Sequence, residues 1–83
     1  MQVIICERKF TQPITMDQFF EAGKTLGPCL DVRGIRWMSS ALSADGTQSV
    51  CRFEATDAES VRQANREAGL LFQHVWAAQE ISP

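Results

Sequence analysis

The stretch of sequence that decides the fold is CRFEATDAESVRQANREAG, which runs from Cys51 to Gly69. Its first residues alternate in polarity as a half-buried strand does, and the rest has the apolar spacing of an amphipathic helix. Thr56 and Glu59 have the spacing of a capping box, and Gly69 can adopt the left-handed conformation that ends a helix. The stretch therefore predicts a strand that leads directly into a capped helix.

A strand and a helix are predicted before this stretch. The residues from Gln2 to Lys9 have β character, and the helix that follows is capped by Thr15, with Gln18 at the capping-box position. Gly27 and Pro28 predict the end of this helix, since glycine favours the C-terminal conformation and proline cannot continue a helix. The apolar stripe of the helix consists of Met16, Phe19, Phe20, Gly23 and Leu26.

A hairpin is predicted between the two helices, and a last strand follows the second helix. Period-two alternation on the third strand places Cys51 and Phe53 on one face of the sheet and Arg52 on the other. The second helix would bury Ala58, Val61, Ala64 and Ala68. The predicted bounds are about Val32 to Leu42 for the second strand, Ser43 to Gly46 for the turn, Thr47 to Glu54 for the third strand and Phe72 to Ile81 for the fourth.

The predicted element order is βαββαβ, the ferredoxin-like pattern of the α+β class. It implies one domain over residues 1–83, with a four-stranded antiparallel sheet and both helices on one face. The other face would be partly apolar, because Trp37, Trp76 and the first strand contribute large apolar side chains. Two such sheets packed face to face would cover this surface, so we expect a homodimer of the dimeric α/β-barrel kind.

Composition narrows the classes of function. The three cysteines, Cys6, Cys29 and Cys51, are widely spaced and form no C-x-x-C pair, which is typical of a reducing compartment, and we expect the cytoplasm. The net charge of −2 and the pI of about 5.2 argue against nucleic-acid and anionic-membrane partners. The apolar run from Val3 to Cys6 is too short for a signal peptide or a membrane span.

Several segments together resemble a known family of small proteins, called nickel-binding-like or domain-of-unknown-function 4242 proteins. The resemblance covers nearly the whole chain and implies a dimeric ferredoxin-like α/β barrel, with a divalent metal such as nickel as the candidate cofactor. The nickel-binding branch of that family is rich in histidine, whereas this chain has a single histidine, His74. The segments that carry the resemblance are Glu7-Arg8, GIRWMSS at Gly34–Ser40, CRFEA at Cys51–Ala55, DAESVRQANREAGL at Asp57–Leu70 and VWAA at Val75–Ala78.

Two of the candidate site residues are candidate metal ligands. His74 offers an imidazole nitrogen, a donor that suits nickel, and Glu7 offers a carboxylate. One histidine per chain is too few for a site, but a dimer could bring two copies of His74 together with Glu7 or a cysteine. The alternative is that His74 is a hydrogen-bonded structural residue or a surface group. The full ligand-binding set is Glu7, Arg8, Arg36, Trp37, Arg52 and His74.

The three arginines of this set each fall on a predicted strand. If Arg8, Arg36 and Arg52 meet on the face opposite the helices, they could line a pocket for an anionic molecule. They could equally pair with Glu7 and Glu54 across strands or across a dimer seam. Trp37 and Trp76 could stack on a ligand or lie in a dimer interface.

A further hypothesis is that His74 forms a nucleophilic pair with Cys6 or Cys51. The alternative is that these free cysteines are small buried hydrophobic residues.

Three functions remain open. The first is a homodimeric protein that binds a metal ion or small ligand between its sheets. The second is a cofactor-independent enzyme that uses Arg36, Arg52 and His74 in the same cavity. The third is a structural or regulatory interaction module, and no catalytic residue is assigned.

Overall fold

The computed structural model describes residues 1–83 and contains six elements in the order βαββαβ. They are β1 (Gln2–Lys9), α1 (Met16–Asp31), β2 (Arg36–Leu42), β3 (Gln48–Ala55), α2 (Ala58–Ala68) and β4 (His74–Ala78). The strands form one antiparallel sheet in the order β2-β3-β1-β4. The predicted ferredoxin-like α+β fold is confirmed.

The hydrophobic core lies between the two helices and one face of the sheet, which we call the helix face. Burial on β3 alternates with period two, as a sheet with one covered face requires, whereas β1 buries three consecutive residues, Ile4, Ile5 and Cys6. Val61 and Ala64 of α2 are fully buried, and Ala58 and Ala68 are partly buried against the core, as predicted. The sheet contributes Ile4, Cys6, Cys51, Phe53, Ala55 and Val75, and α1 contributes Leu26 and Leu30.

The two helices begin with different caps. The predicted capping box of α1 is present, because the Thr15 hydroxyl accepts from the Gln18 N–H at 3.2 Å and the Gln18 side chain accepts from the Thr15 N–H at 2.8 Å. The predicted box of Thr56 and Glu59 is wrong. The cap of α2 is Asp57, whose carboxylate accepts from the Ser60 N–H at 2.8 Å. Carboxylates rank above threonine at this position.

Of the two predicted C-terminal helix ends, that of α2 is confirmed and that of α1 is wrong. Gly69 ends α2 in the predicted left-handed conformation, with φ of 73°. The predicted stop of α1 at Gly27 and Pro28 is wrong, since α1 continues to Asp31 with Pro28 inside it. Pro28 faces solvent, where water can bind the carbonyl that its missing N–H leaves free, and the continued helix buries Leu30. The turn that closes α1 occupies residues 32–35, so β2 starts later than predicted.

The hairpin turn from Ser43 to Gly46 is present as predicted. The Gly46 N–H donates to the Ser43 carbonyl at 2.9 Å, and the Ser43 N–H donates to the Gln48 carbonyl at 2.8 Å. Hydrogen bonds from the hydroxyl groups of Thr47 and Ser43 hold the pKa of the Asp45 carboxyl below its ordinary value. The turn sets the register between β2 and β3.

The last strand is shorter than predicted, from His74 to Ala78 instead of Phe72 to Ile81. It pairs only with β1, whose residues Val3 to Glu7 face it, so little backbone of β1 remains to pair beyond Ala78. Phe72 packs on the core before the strand begins. Neither helix combines the length and the apolar character that crossing a bilayer requires.

Candidate functional site

The side of the sheet away from the helices, which we call the open face, carries most of the predicted site residues. The strand register arranges its side chains in three rows that cross all four strands. The first row is Arg36, Glu54, Val3 and Ala78; the second is Ser39, Arg52, Ile5 and Trp76; the third is Ala41, Val50, Glu7 and His74. This grid decides which candidates can act together.

Glu7 and His74 are direct cross-strand neighbours in the third row. Side chains opposite each other on antiparallel strands have Cβ atoms about 4.5–5.5 Å apart, so both can reach one bound ion. The Trp76 indole N–H donates to Glu7 Oε2 at 2.8 Å, which orients the carboxylate and leaves its second oxygen available. The structure thus brings the two predicted metal ligands together.

A single chain does not complete a metal site around this pair. No three of its His, Cys, Asp and Glu side chains come together in a way that could hold a metal ion. Glu7 and His74 supply one oxygen and one nitrogen donor, and further ligands would have to come from a second copy of the chain.

Arg36 and Arg52 lie on the open face but each is paired with a carboxylate. Arg36 Nη2 is 3.5 Å from Glu54 Oε2, which is the cross-strand pairing that the sequence offered as an alternative. Arg52 Nε is 3.1 Å from Glu80 Oε1, a partner that follows β4 and has no signal in the sequence pattern.

The predicted ligand set does not converge in one chain. Arg36 and His74 occupy opposite corners of the open face, in the first and third rows. With about 4.8 Å between strands and about 3.4 Å per residue, their Cα atoms are roughly 20 Å apart. A small ligand in one chain cannot contact both residues. Arg36, Arg52 and His74 of one chain therefore cannot surround one small substrate, and their use together in a dimer cavity stays a prediction.

Arg8 and Trp37 are on the helix face, so the condition that the three arginines meet on the opposite face is not fulfilled for Arg8. Arg8 is 8% exposed and donates to Asn65 Oδ1 of α2 at 2.6 Å. A bulge in β2 between Trp37 and Ser39 shifts the register there. As a result Trp37 and Ser40 both lie on the helix face, and the Trp37 N–H donates to Ser40 Oγ at 2.8 Å.

The hypothesis of a cysteine–histidine pair is also wrong. Cys6 and Cys51 point into the core on the helix face, whereas His74 is on the open face. Burial raises the pKa of the Cys6 thiol from its ordinary value of 9.0 to about 11, against the smaller lowering effect of Arg8. A fully buried neutral thiol is not a nucleophile.

Comparison with known proteins agrees with this description. The family model described as "Nickel responsive protein SCO4226-like" matches residues 5–77. The crystal structure of SCO4226 from Streptomyces coelicolor A3(2) has a TM-score of 0.86 to this chain at 15% identity, and the match covers 96% of this chain and 99% of that one. No protein with a curated description matches the chain. The predicted resemblance to a nickel-binding-like family is confirmed.

Proposed function

This chain belongs to the family of SCO4226-like nickel responsive proteins, and we propose that it is a homodimer that binds a divalent metal ion of the nickel class. The metal would lie between the open faces of the two subunits. Glu7 and His74 of each subunit would be its ligands.

The observation that carries this proposal is the adjacency of Glu7 and His74 across β1 and β4. These are the kinds of donor, imidazole nitrogen and carboxylate oxygen, that first-row divalent metals including Ni²⁺ accept. Trp76 holds the carboxylate in place through its hydrogen bond, as groups around a metal ligand commonly do.

The second subunit is needed for both chemical and physical reasons. Two ligands per chain do not hold a metal, but a two-fold axis near the third row would supply two nitrogen and two oxygen donors. The open face also exposes large apolar side chains, with Trp76 46% and Val50 40% exposed. Association through this face would bury them and stabilise a small core.

The test is a titration of the metal-free protein with NiCl2, followed by thermal shift and isothermal titration calorimetry, with ZnCl2 and CuCl2 as comparisons. All variants carry Cys29→Ser, so that the partly buried thiol does not compete for the metal. Saturating NiCl2 should raise Tm by at least about 5 °C, because a ligand that binds only the native state stabilises it.

Two pairs of variants make the test specific. His74→Ala and Glu7→Gln should abolish the nickel-dependent shift. Gln73→Ala, at the exposed neighbour of His74, and Glu54→Gln, at a carboxylate of the first row, should retain it. Sedimentation velocity with and without NiCl2 reports the oligomeric state separately. If the protein is a dimer but binds no nickel, the metal-binding proposal is wrong and the structural or regulatory interaction module is favoured. If His74→Ala binds nickel as tightly as the wild type, the metal does not bind at Glu7 and His74.

A further inference from the structure

A groove lies on the other side of the sheet, between α1 and the strands β2 and β3, and neither Glu7 nor His74 lines it. Its volume is about 560 Å³, within the range of small-molecule sites. Four of the residues that line it are aromatic. They are Phe19 and Phe20 of α1, Trp37 of β2 and Phe53 of β3.

The groove exists because α1 presents no side chain at two positions that face it. Gly23 and Gly27 are one helical turn apart and both line the groove. A Cβ atom added at either position would meet no atom within 4 Å. Glycine lowers the stability of a helix interior, and packing does not require it at these two positions. The two glycines therefore keep space open at a cost to the helix.

One of the residues that line the groove is a buried cation. Arg8 lines the groove, is 8% exposed and donates only to neutral acceptors, the Leu71 carbonyl at 2.8 Å and Asn65 Oδ1 at 2.6 Å. None of the ion pairs in the structure includes it. A buried charge is costly unless an opposite charge compensates it, so this guanidinium favours an anion nearby.

Most of the charged residues around the groove are cations. Four charged residues line it: Arg8, Lys24, Arg36 and Asp31. Their formal charges sum to +2, from three cations and one acid, in a chain of net charge −2. Lys24 and Arg36 each have a glutamate partner, which leaves Arg8 as the cation without one.

A hydroxyl group on the floor adds a directional contact. Ser40 Oγ accepts the indole N–H of Trp37 at 2.8 Å, so its own hydrogen is free to donate to a ligand oxygen. The β2 bulge brings these two residues onto the same face. Bulges commonly re-aim side chains in this way beside functional sites.

We propose that this groove binds a small aromatic carboxylate, with the ring system against the aromatic walls and the carboxylate directed to Arg8. Flat rings suit a cavity lined by aromatic side chains, and a carboxylate compensates the buried guanidinium. The site is separate from Glu7 and His74 and does not depend on metal binding.

The probe is naphthalene-2-carboxylate, compared with its neutral isostere naphthalene-2-carboxamide, by isothermal titration calorimetry on the metal-free protein. The carboxylate should bind at least about tenfold more tightly than the amide, because only the anion forms an ion pair with Arg8. Equal affinity of the two compounds, or no binding of the carboxylate, would overturn the proposal.

Gly23→Leu tests the location without disturbing the core, since the new side chain enters open space. It should weaken carboxylate binding at least about tenfold by filling the groove, with Tm unchanged or raised. Thr25→Leu, at an exposed position of α1 that does not line the groove, is the matched control and should bind as the wild type does. Wild-type binding by Gly23→Leu would place the ligand elsewhere.

Arg8→Gln tests the charge, and the fold of the variant is checked by circular dichroism. The folded variant should bind the carboxylate and the amide equally, whereas Arg8→Lys should keep a preference for the carboxylate. If Arg8→Gln does not fold, the comparison of Gly23→Leu with the wild type still tests the proposal. His74→Ala should bind the carboxylate normally, which separates this site from the proposed metal site. A change of oligomeric state in Gly23→Leu with unaltered carboxylate binding would identify the groove as a contact between copies and refute the proposal.

Discussion

Arg8 of β1 and Asn65 of α2, 57 residues apart in the chain, are joined by a buried hydrogen bond of 2.6 Å between Arg8 Nη2 and Asn65 Oδ1. The Asn65 amide also donates to the Val61 carbonyl at 2.8 Å, which fixes its orientation. Arg8 Nη1 donates to the Leu71 carbonyl. One cation thereby connects a central strand, a helix and the segment that follows the helix.

We expect Asn65→Leu to lower the free energy of unfolding by about 2–4 kcal/mol, because it removes an acceptor from a buried charge. Urea denaturation followed by circular dichroism measures the change. Gln63→Leu, at an exposed position of the same helix, is the control and should stay within about 0.5 kcal/mol of the wild type. An Asn65→Leu protein as stable as this control would mean that Arg8 finds another partner at no cost.

The Cys6 thiol should make stability fall in alkaline solution. Its pKa is raised by burial from 9.0 to about 11, so the native state holds the proton more tightly than the unfolded state. The contribution is complete below pH 9.0 and is lost as the pH rises towards 11. The two-unit difference corresponds to about 2–3 kcal/mol. Urea unfolding at several alkaline pH values should show that the free energy of unfolding falls with pH in the wild type and falls less in Cys6→Ala.

The cap of α2 can be tested by a pair of adjacent substitutions. Asp57→Ala should lower Tm by roughly 4–8 °C, whereas Thr56→Ala should have a much smaller effect, since Asp57 is the residue that accepts the Ser60 N–H. That hydrogen bond lowers the pKa of the Asp57 carboxyl, so its stabilising effect is present at neutral pH and is lost as the pH falls through the native-state value. Thermal melts at pH 7 and in acid measure both effects. A larger loss of Tm in Thr56→Ala than in Asp57→Ala would contradict the assignment of Asp57 as the cap.

Two glycines should respond to alanine in opposite directions. Gly46 has φ of 75°, and a Cβ atom there would collide with the Ile14 backbone, so Gly46→Ala should cost at least about 1–2 kcal/mol. Gly23 faces open space, and Gly23→Ala should stabilise α1 by up to about 1 kcal/mol. Chemical denaturation of both variants decides the matter. A destabilised Gly23→Ala would show that the groove is too tight for the ligand that we propose.

Local sequence signals were sufficient to predict the ends of an element where a single residue determines that end. The bounds of β1, the Thr15 cap and the Gly69 stop all follow from short-range chemistry, and each is present in the structure. The predictions failed where two local signals compete or where burial overrides one. Thr56 was predicted as the cap of α2, but the adjacent Asp57 is the stronger cap. Pro28 was predicted to end α1, but the helix continues past it because the added residues bury Leu30.

The function-bearing surfaces show the same division. Alternating polarity predicted the fold and the place of Arg52 opposite Cys51, because side-chain direction along a regular strand follows from the period alone. The faces of Arg8 and Trp37 and the groove beneath α1 could not be read in this way. The face of Trp37 depends on a one-residue bulge, and that of Arg8 on which parity of β1 faces the helices, since consecutive residues of β1 are buried. The groove depends on where one helix leaves the sheet uncovered. These are relations between distant residues, and they exist only once the chain has packed.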